Sequence, residues 1–202
     1  MTGKHGKLVA IEGIDQAGKK TQSQLLAKAM QKEGYRFSVW EFPDYTTALG
    51  RQLKAYLTGK SKLDLRAVHL LYAANRWEVA EKLERELQSG TNVIVNRYWP
   101  SNLAYGISHG LPAKWLNCLD RGLPKPSLII VLDISPTTSL KRKMVGRDVH
   151  EEDLAYLKKV RVAYLRLARR RGWKLVNGEQ DSKAIQNELR DKVAHVLNHG
   201  RL

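Results

Sequence analysis

One cysteine, Cys118, is all that the 202 residues contain. A lone cysteine excludes an internal disulfide framework and fits a reducing compartment, so a cytoplasmic protein is expected. No apolar stretch approaches the roughly 20 residues of a membrane-spanning helix, and the basic start MTGKHGK has no apolar segment of a secretory signal behind it. A soluble protein with no membrane partner is expected. Internal repeats, low-complexity tracts and long linkers are absent as well. The six histidines show no metal-ligand spacing, and His195 and His199, four residues apart, have no third ligand nearby.

Acidic residues are scarce, 20 against 35 lysines and arginines, which leaves a formal net charge of +15. Such an excess fits either an anionic small substrate or a polyanion. Much of it lies late, in KRKMVGR (141–147) and KKVRVAYLRLARRRGWK (158–174). Leu157, Val160, Tyr164, Leu167 and Ala168 recur at helical spacing through the second stretch, so its charges are expected on a solvated outer face. Specific nucleic-acid binding is not expected.

What is present is ample apolar content, 43%, enough for a real core in one domain spanning 1–202. Strand-like runs occur at Leu8–Ile11, Phe37–Phe42, Val93–Val95, Leu128–Leu132 and Leu175–Val176, with helical patterns between them. This alternation predicts an α/β fold, a doubly wound parallel five-stranded sheet with helices on both faces. The GLPKP segment (122–126) reads as a rigid loop before a buried strand. Ligands of open parallel sheets gather at the carboxyl ends of strands, which places function just after Ile11, Trp40, Val95 and Leu132.

The first of these ends carries the strongest motif. LVAIEGIDQAGKKT (8–21) runs from an apolar strand into a glycine loop and then a helical pattern with Leu25, Leu26, Ala29 and Met30. Gly13, Gly18 and Lys19 match the phosphate-binding loop GxxxxGK[ST]. There, glycines let backbone N–H groups converge on a polyphosphate, the lysine reaches its outer oxygens, and the next hydroxyl holds Mg²⁺. Lys20 stands where that hydroxyl is required, and Thr21 comes one place late.

The later strand ends carry EFPDYTT (41–47) and NRYWPSNLAYG (96–106), and the helix between them bears LLYAANRWE (70–78), with Tyr72 and Arg76 on one face. An aromatic ring beside a guanidinium can stack on a base and hydrogen-bond its edge. Together, from Leu8 to about Arg190, these segments closely resemble the thymidylate kinase family of P-loop nucleoside monophosphate kinases. The resemblance implies transfer of the γ-phosphoryl group of ATP, as MgATP, directly to dTMP, and commonly a homodimer. It implies an ATP loop of Gly13, Ile14, Asp15, Gln16, Ala17, Gly18, Lys19, Lys20 and Thr21. Asp15 would contact the sugar 3′-hydroxyl and help place the acceptor phosphate, Phe42 would line the nucleoside pocket, Tyr72 would stack on thymine and Arg76 would bond its edge. Arg97 would grip the acceptor phosphate, Ser101 and Asn102 would lie by the base, and Tyr105 would sit under the sugar and disfavour a ribose 2′-hydroxyl.

The family supplies positive charge to the moving phosphoryl group either from a P-loop arginine or from a lid. Gln16 occupies the P-loop position, so the lid, at about 141–153, is expected to supply it through Arg147 and Arg142, with Lys143 behind them. Catalysis would then rest on Asp15, Lys19, Arg97, Arg147 and Arg142. Three positions depart from the family pattern: Lys20 and Asn96 replace a hydroxyl and a carboxylate on the metal's side of the site, and Tyr45 replaces an arginine near the acceptor phosphate. Two other readings share the fold, a kinase for another nucleoside monophosphate and a catalytically weak nucleotide-binding protein. Trp77, Trp115 and Trp173 read as packing residues.

Overall fold

The computed structural model describes residues 5–142 and 154–199. These form a five-stranded sheet of β1 (Leu8–Glu12), β2 (Phe37–Glu41), β3 (Asn92–Asn96), β4 (Leu128–Asp133) and β5 (Lys174–Asn177), in the order β2-β3-β1-β4-β5. Every pairing is parallel, with Ala10 opposite Val95 on one side of β1 and Ile129 on the other. The order reverses at β1, so the cleft at the top of the sheet opens between the ends of β1, β3 and β4. Burial explains the sequence pattern of each strand. Central β1 and β3 are buried at every residue, whereas the edge strands β2 and β5 have buried and exposed residues interspersed.

The connections are α1 (Lys19–Lys32), α2 (Ala48–Leu57), α3 (Leu65–Trp77), α4 (Ala80–Gln88), α5 (Trp99–Ser108), α6 (Ala113–Leu119), α7 (Pro136–Arg142), α8 (Leu154–Arg171) and α9 (Ser182–His199). Helix α1 packs on α9 and against β1, β2 and β3, while α8 packs on α5 and against β4 and β5. Helices thus cover both faces of the sheet. The inward face of α8 holds Tyr156, Leu157, Val160, Ala163, Tyr164, Leu167 and Ala168, and Lys158, Lys159, Arg166, Arg169 and Arg170 face solvent, the division its spacing predicts.

Two expectations need correction. Helix α1 starts at Lys19, two residues before the expected Thr21, because the left-handed Gly18 ends the loop directly before it. Trp77 is 43% exposed at the end of α3, where its indole N–H donates to the Leu119 carbonyl at 2.9 Å and its ring lies beside Gly122. It is not a core residue, whereas Trp173 is buried and Trp115 packs against the core from a half-buried position.

Candidate active site

The loop between β1 and α1 is built by its glycines. Gly13 has φ +135°, and a Cβ there would fall 2.4 Å from the Leu132 carbonyl oxygen, so only glycine lets β1 turn beside β4. Gly18 caps α1 with φ +86° and no side chain to bond the first helical N–H groups. Those donors stay oriented toward the cleft, where the positive end of the helix favours an anion. The buried Lys19 ammonium donates to the Ile14 carbonyl at 2.7 Å and so lies across the loop. Arg142, from α7, donates to the Gln16 carbonyl at 3.1 Å and to the Gly178 carbonyl at 2.9 Å, which ties the loop to the turn after β5.

Beside this loop lies a cavity lined by Asp15, Phe42, Tyr72, Arg76, Arg97, Ser101, Asn102 and Tyr105, all eight side chains that the sequence singles out for the acceptor nucleotide. They arrive from four separate segments. Asp15 comes from the P-loop, Phe42 from the end of β2, Tyr72 and Arg76 from α3, and the rest from the stretch that opens α5. Pro43, Tyr45, Leu57, His69, Tyr98 and Tyr156 complete the wall. Asn75 fixes the 44–47 loop against α3, accepting from Asp44 N–H at 2.8 Å and donating to the Asp44 carbonyl at 3.1 Å.

Arg97 is the electrostatic centre. Its φ of +63° is a left-handed conformation that a non-glycine residue adopts at a cost, and it turns the side chain back over β1. The guanidinium pairs with Asp15, and its carbon lies 5.4 Å from the Tyr105 ring centre. Burial is the largest influence and opposes the Arg97 charge, but Asp15, Tyr105, Tyr164 and Glu12 together outweigh it and hold the group well above its ordinary value. Tyr105 donates its hydroxyl to the other Asp15 oxygen at 2.7 Å. Burial pushes that hydroxyl well above the usual phenol range, so it remains a donor.

Arg76 reaches the cavity as half of a buried fork. Nε and Nη2 donate to the two Asp120 oxygens at 2.7 and 2.9 Å, and both side chains are nearly inaccessible. Beneath Arg97 lies Glu12, fully buried, whose carboxylate accepts from Tyr98 N–H at 2.8 Å, Ser101 Oγ at 2.6 Å and Tyr164 Oη at 3.0 Å. Burial raises the Glu12 pKa despite these donors and the charge of Arg97. The Ser101 hydroxyl is therefore turned down toward Glu12. The Asn102 side chain is held by His69, with Oδ1 at 2.6 Å from His69 Nδ1 and Nδ2 donating to the His69 carbonyl at 3.2 Å.

Sequence reasoning missed Glu12, Asp120, His69 and Tyr156. Glu12 carried a signal, an acidic residue closing an apolar strand. Tyr156 falls on the apolar stripe of α8 and could have been read as lining, since its hydroxyl donates to the Tyr105 carbonyl at 3.2 Å. Asp120 sits 44 residues from Arg76 with no local mark. Arg147 and Lys143, and most of the expected lid, lie outside the described residues.

Phosphoryl transfer in P-loop enzymes employs a divalent cation held by the loop hydroxyl and a carboxylate. Here Lys20 is an ammonium paired with Glu41 at 3.0 Å, and Asn96 donates to the other oxygen of Glu41 at 3.0 Å. The amide oxygen, Asn96 Oδ1, is buried and accepts no hydrogen bond among the described residues. One amide oxygen beside a salt bridge is not a ligand set for a doubly charged ion. Among the described residues, those on this side of the cleft do not fit a protein-held metal.

Comparison with known proteins places this geometry. A family model described as thymidylate kinase matches residues 11–189. The chain is similar to a thymidylate kinase of Arabidopsis thaliana, 37% identical over 93% of this chain and 72% of that one. It is similar to that of Danio rerio at 32% identity, over 98% and 94% of the two chains, and to that of Homo sapiens at 32%, over 94% and 91%. A solved thymidylate kinase from Candida albicans superimposes with a TM-score of 0.86 at 28% identity, covering 96% of this chain and 94% of the other.

Proposed function

The chain belongs to the thymidylate kinase family, and from that premise we propose how its residues divide the transfer of the γ-phosphoryl group from ATP to dTMP. The loop Gly13–Thr21 takes the ATP phosphates on its backbone N–H groups, with Lys19 leaving the Ile14 carbonyl for phosphate oxygens. The cavity takes dTMP. Tyr72 stacks on the base, the part of Arg76 not held by Asp120 bonds the base edge, and Phe42 closes the side. Tyr105 lies under the sugar, and Asp15 presents its carboxylate to the 3′-hydroxyl while holding Arg97 toward the acceptor phosphate.

Little covalent work is required of the protein, because phosphoryl transfer responds mainly to in-line placement and to positive charge around the moving group. Arg97 supplies that charge from the acceptor side and Arg142, with Arg147 of the lid at about 141–153, from the donor side. Transfer forms the bond from a dTMP phosphate oxygen to the γ-phosphorus and breaks the bond to the β,γ-bridging oxygen, giving dTDP and ADP.

The observation that carries this reading is the convergence of eight side chains, from four distant segments, on one cavity that shares Asp15 with the P-loop. An ADP-release assay across the common nucleoside monophosphates tests it, and dTMP is expected to give the highest kcat/KM. Preference for another monophosphate would support a different kinase of this class. Binding of nucleotides without ADP release would support a catalytically weak protein. The chain is read as one kinase domain that forms a homodimer, consistent with Leu70 and Trp77 exposed on α3, and sedimentation measures this directly. Among the described residues no helix is long and apolar enough to cross a membrane, and exposed Cys118, in no disulfide, fits the cytoplasm.

A further inference from the structure

Lys20 and Asn96 are the two departures from the family pattern on the metal's side of the cleft, and Glu41 joins them. Glu41 ends β2, opposite Asn96 in the parallel register of β2 and β3. Its carboxylate accepts from Asn96 Nδ2 through Oε1 and binds the Lys20 ammonium through Oε2, each at 3.0 Å. A carboxylate at position 96 would lose that donation and set two anions side by side. The neutral amide instead orients Glu41 so that its second oxygen faces the start of α1. Lys20 is the second residue of that helix, adjacent to the loop that takes phosphates. Its side chain is 66% exposed, so the salt bridge adds little to stability and its effect is on where the charge is held.

We infer that Lys20, Glu41 and Asn96 form a charge unit that replaces a protein-held divalent cation, so that this enzyme binds the nucleotide polyphosphate with an affinity largely independent of Mg²⁺. The inference rests on the P-loop reading above and concerns donor-nucleotide binding. The ammonium offers the phosphates a cationic N–H donor, its charge shared with Glu41, where relatives of the ordinary pattern present a hydroxyl for the metal. Each departure then accounts for the other: the cation at 20 makes an anionic metal ligand at 96 unnecessary, and the amide at 96 supplies the donor that aims Glu41.

Titration of ADP into the full-length protein by calorimetry, in EDTA and again in excess Mg²⁺, tests this. The parent is expected to bind ADP in EDTA within about threefold of its affinity in Mg²⁺. Lys20→Ser should lose about tenfold or more in EDTA, the loss of one charge-assisted hydrogen bond, and less in Mg²⁺. Lys20→Arg should keep the metal-free affinity. Adding Asn96→Asp to Lys20→Ser should make binding metal-dependent, by restoring a hydroxyl and a carboxylate. ADP binding by the parent that collapses in EDTA, or a Lys20→Ser variant that matches the parent there, overturns the inference while leaving the P-loop reading intact. Absence of ADP binding in both buffers overturns both.

Discussion

Arg76 enters the cavity with only part of its guanidinium, because Nε and Nη2 are committed to Asp120. The pairing fixes the angle at which the remaining nitrogen meets a base, so Asp120 orients recognition without touching the cavity. Arg76→Ala is expected to raise the KM for dTMP about tenfold to a hundredfold, the loss of a charge-assisted bond worth roughly 1.5–3 kcal/mol, with the KM for ATP nearly unchanged. Asp120→Asn should act in the same direction on dTMP. It should also destabilise the fold by up to about 3–5 kcal/mol, since it leaves a buried guanidinium without its counter-charge. The two effects on dTMP, measured in a double-mutant cycle, should not add. Glu12 makes a prediction of its own. Its raised pKa means that the folded state binds this proton more tightly than the unfolded state, whose value is near 4.5. Stability from this group is therefore complete below that pH and is lost as pH rises through the folded pKa. The difference in unfolding free energy between the parent and Glu12→Gln, followed by denaturant titration, should shift against the parent as pH rises from about 4.5.

At the scale of elements, the β1–α1 loop depends on the close approach of Gly13 to β4. Gly13→Ala forces a Cβ against the Leu132 carbonyl in a backbone conformation that L-residues rarely adopt. A cost of roughly 2–3 kcal/mol lowers the Tm by about 5–10 °C in a chain of this size, and ATP affinity should fall with it; thermal melts with and without nucleotide measure both. Helix α7 matters because Arg142 clamps the loop from outside, through the carbonyls of Gln16 and Gly178. Arg142→Ala is expected to act on ATP affinity. Arg147→Ala should instead lower kcat, by about a hundredfold or roughly 3 kcal/mol, as for removal of one preorganised charge, with small changes in either KM. Steady-state kinetics on both variants separates the two roles. Turnover by Arg147→Ala at the parent rate would remove the lid from the mechanism.

Over the whole molecule, much of the net charge of +15 comes from the late stretches 141–147 and 158–174. On α8 the cations stand on the face opposite the core, and Arg161 is paired with Asp133 at 2.7 Å. Double-stranded DNA should therefore bind only non-specifically, with a Kd of about 10⁻⁴–10⁻⁶ M at physiological salt that weakens steeply as salt rises. Submicromolar, sequence-selective binding in a fluorescence-anisotropy titration would contradict this.

Local pattern alone determined the strands, the alternation with helices, the P-loop and the amphipathic division of α8. Each depends on residues within one turn or one strand of each other, where apolar periodicity and glycine placement act directly. The resemblance of motifs then named the residues that line the cavity. Tertiary structure decided their environment. It set Glu12 beneath Arg97, turned Ser101 down onto that carboxylate and seated Asp120 on Arg76, pairings between segments up to 89 residues apart that leave no periodic trace. It also joined Lys20 and Asn96 through Glu41. In sequence these are two separate irregularities, and only the parallel register of β2 and β3, which sets Glu41 against Asn96 beside the start of α1, makes them parts of one electrostatic arrangement.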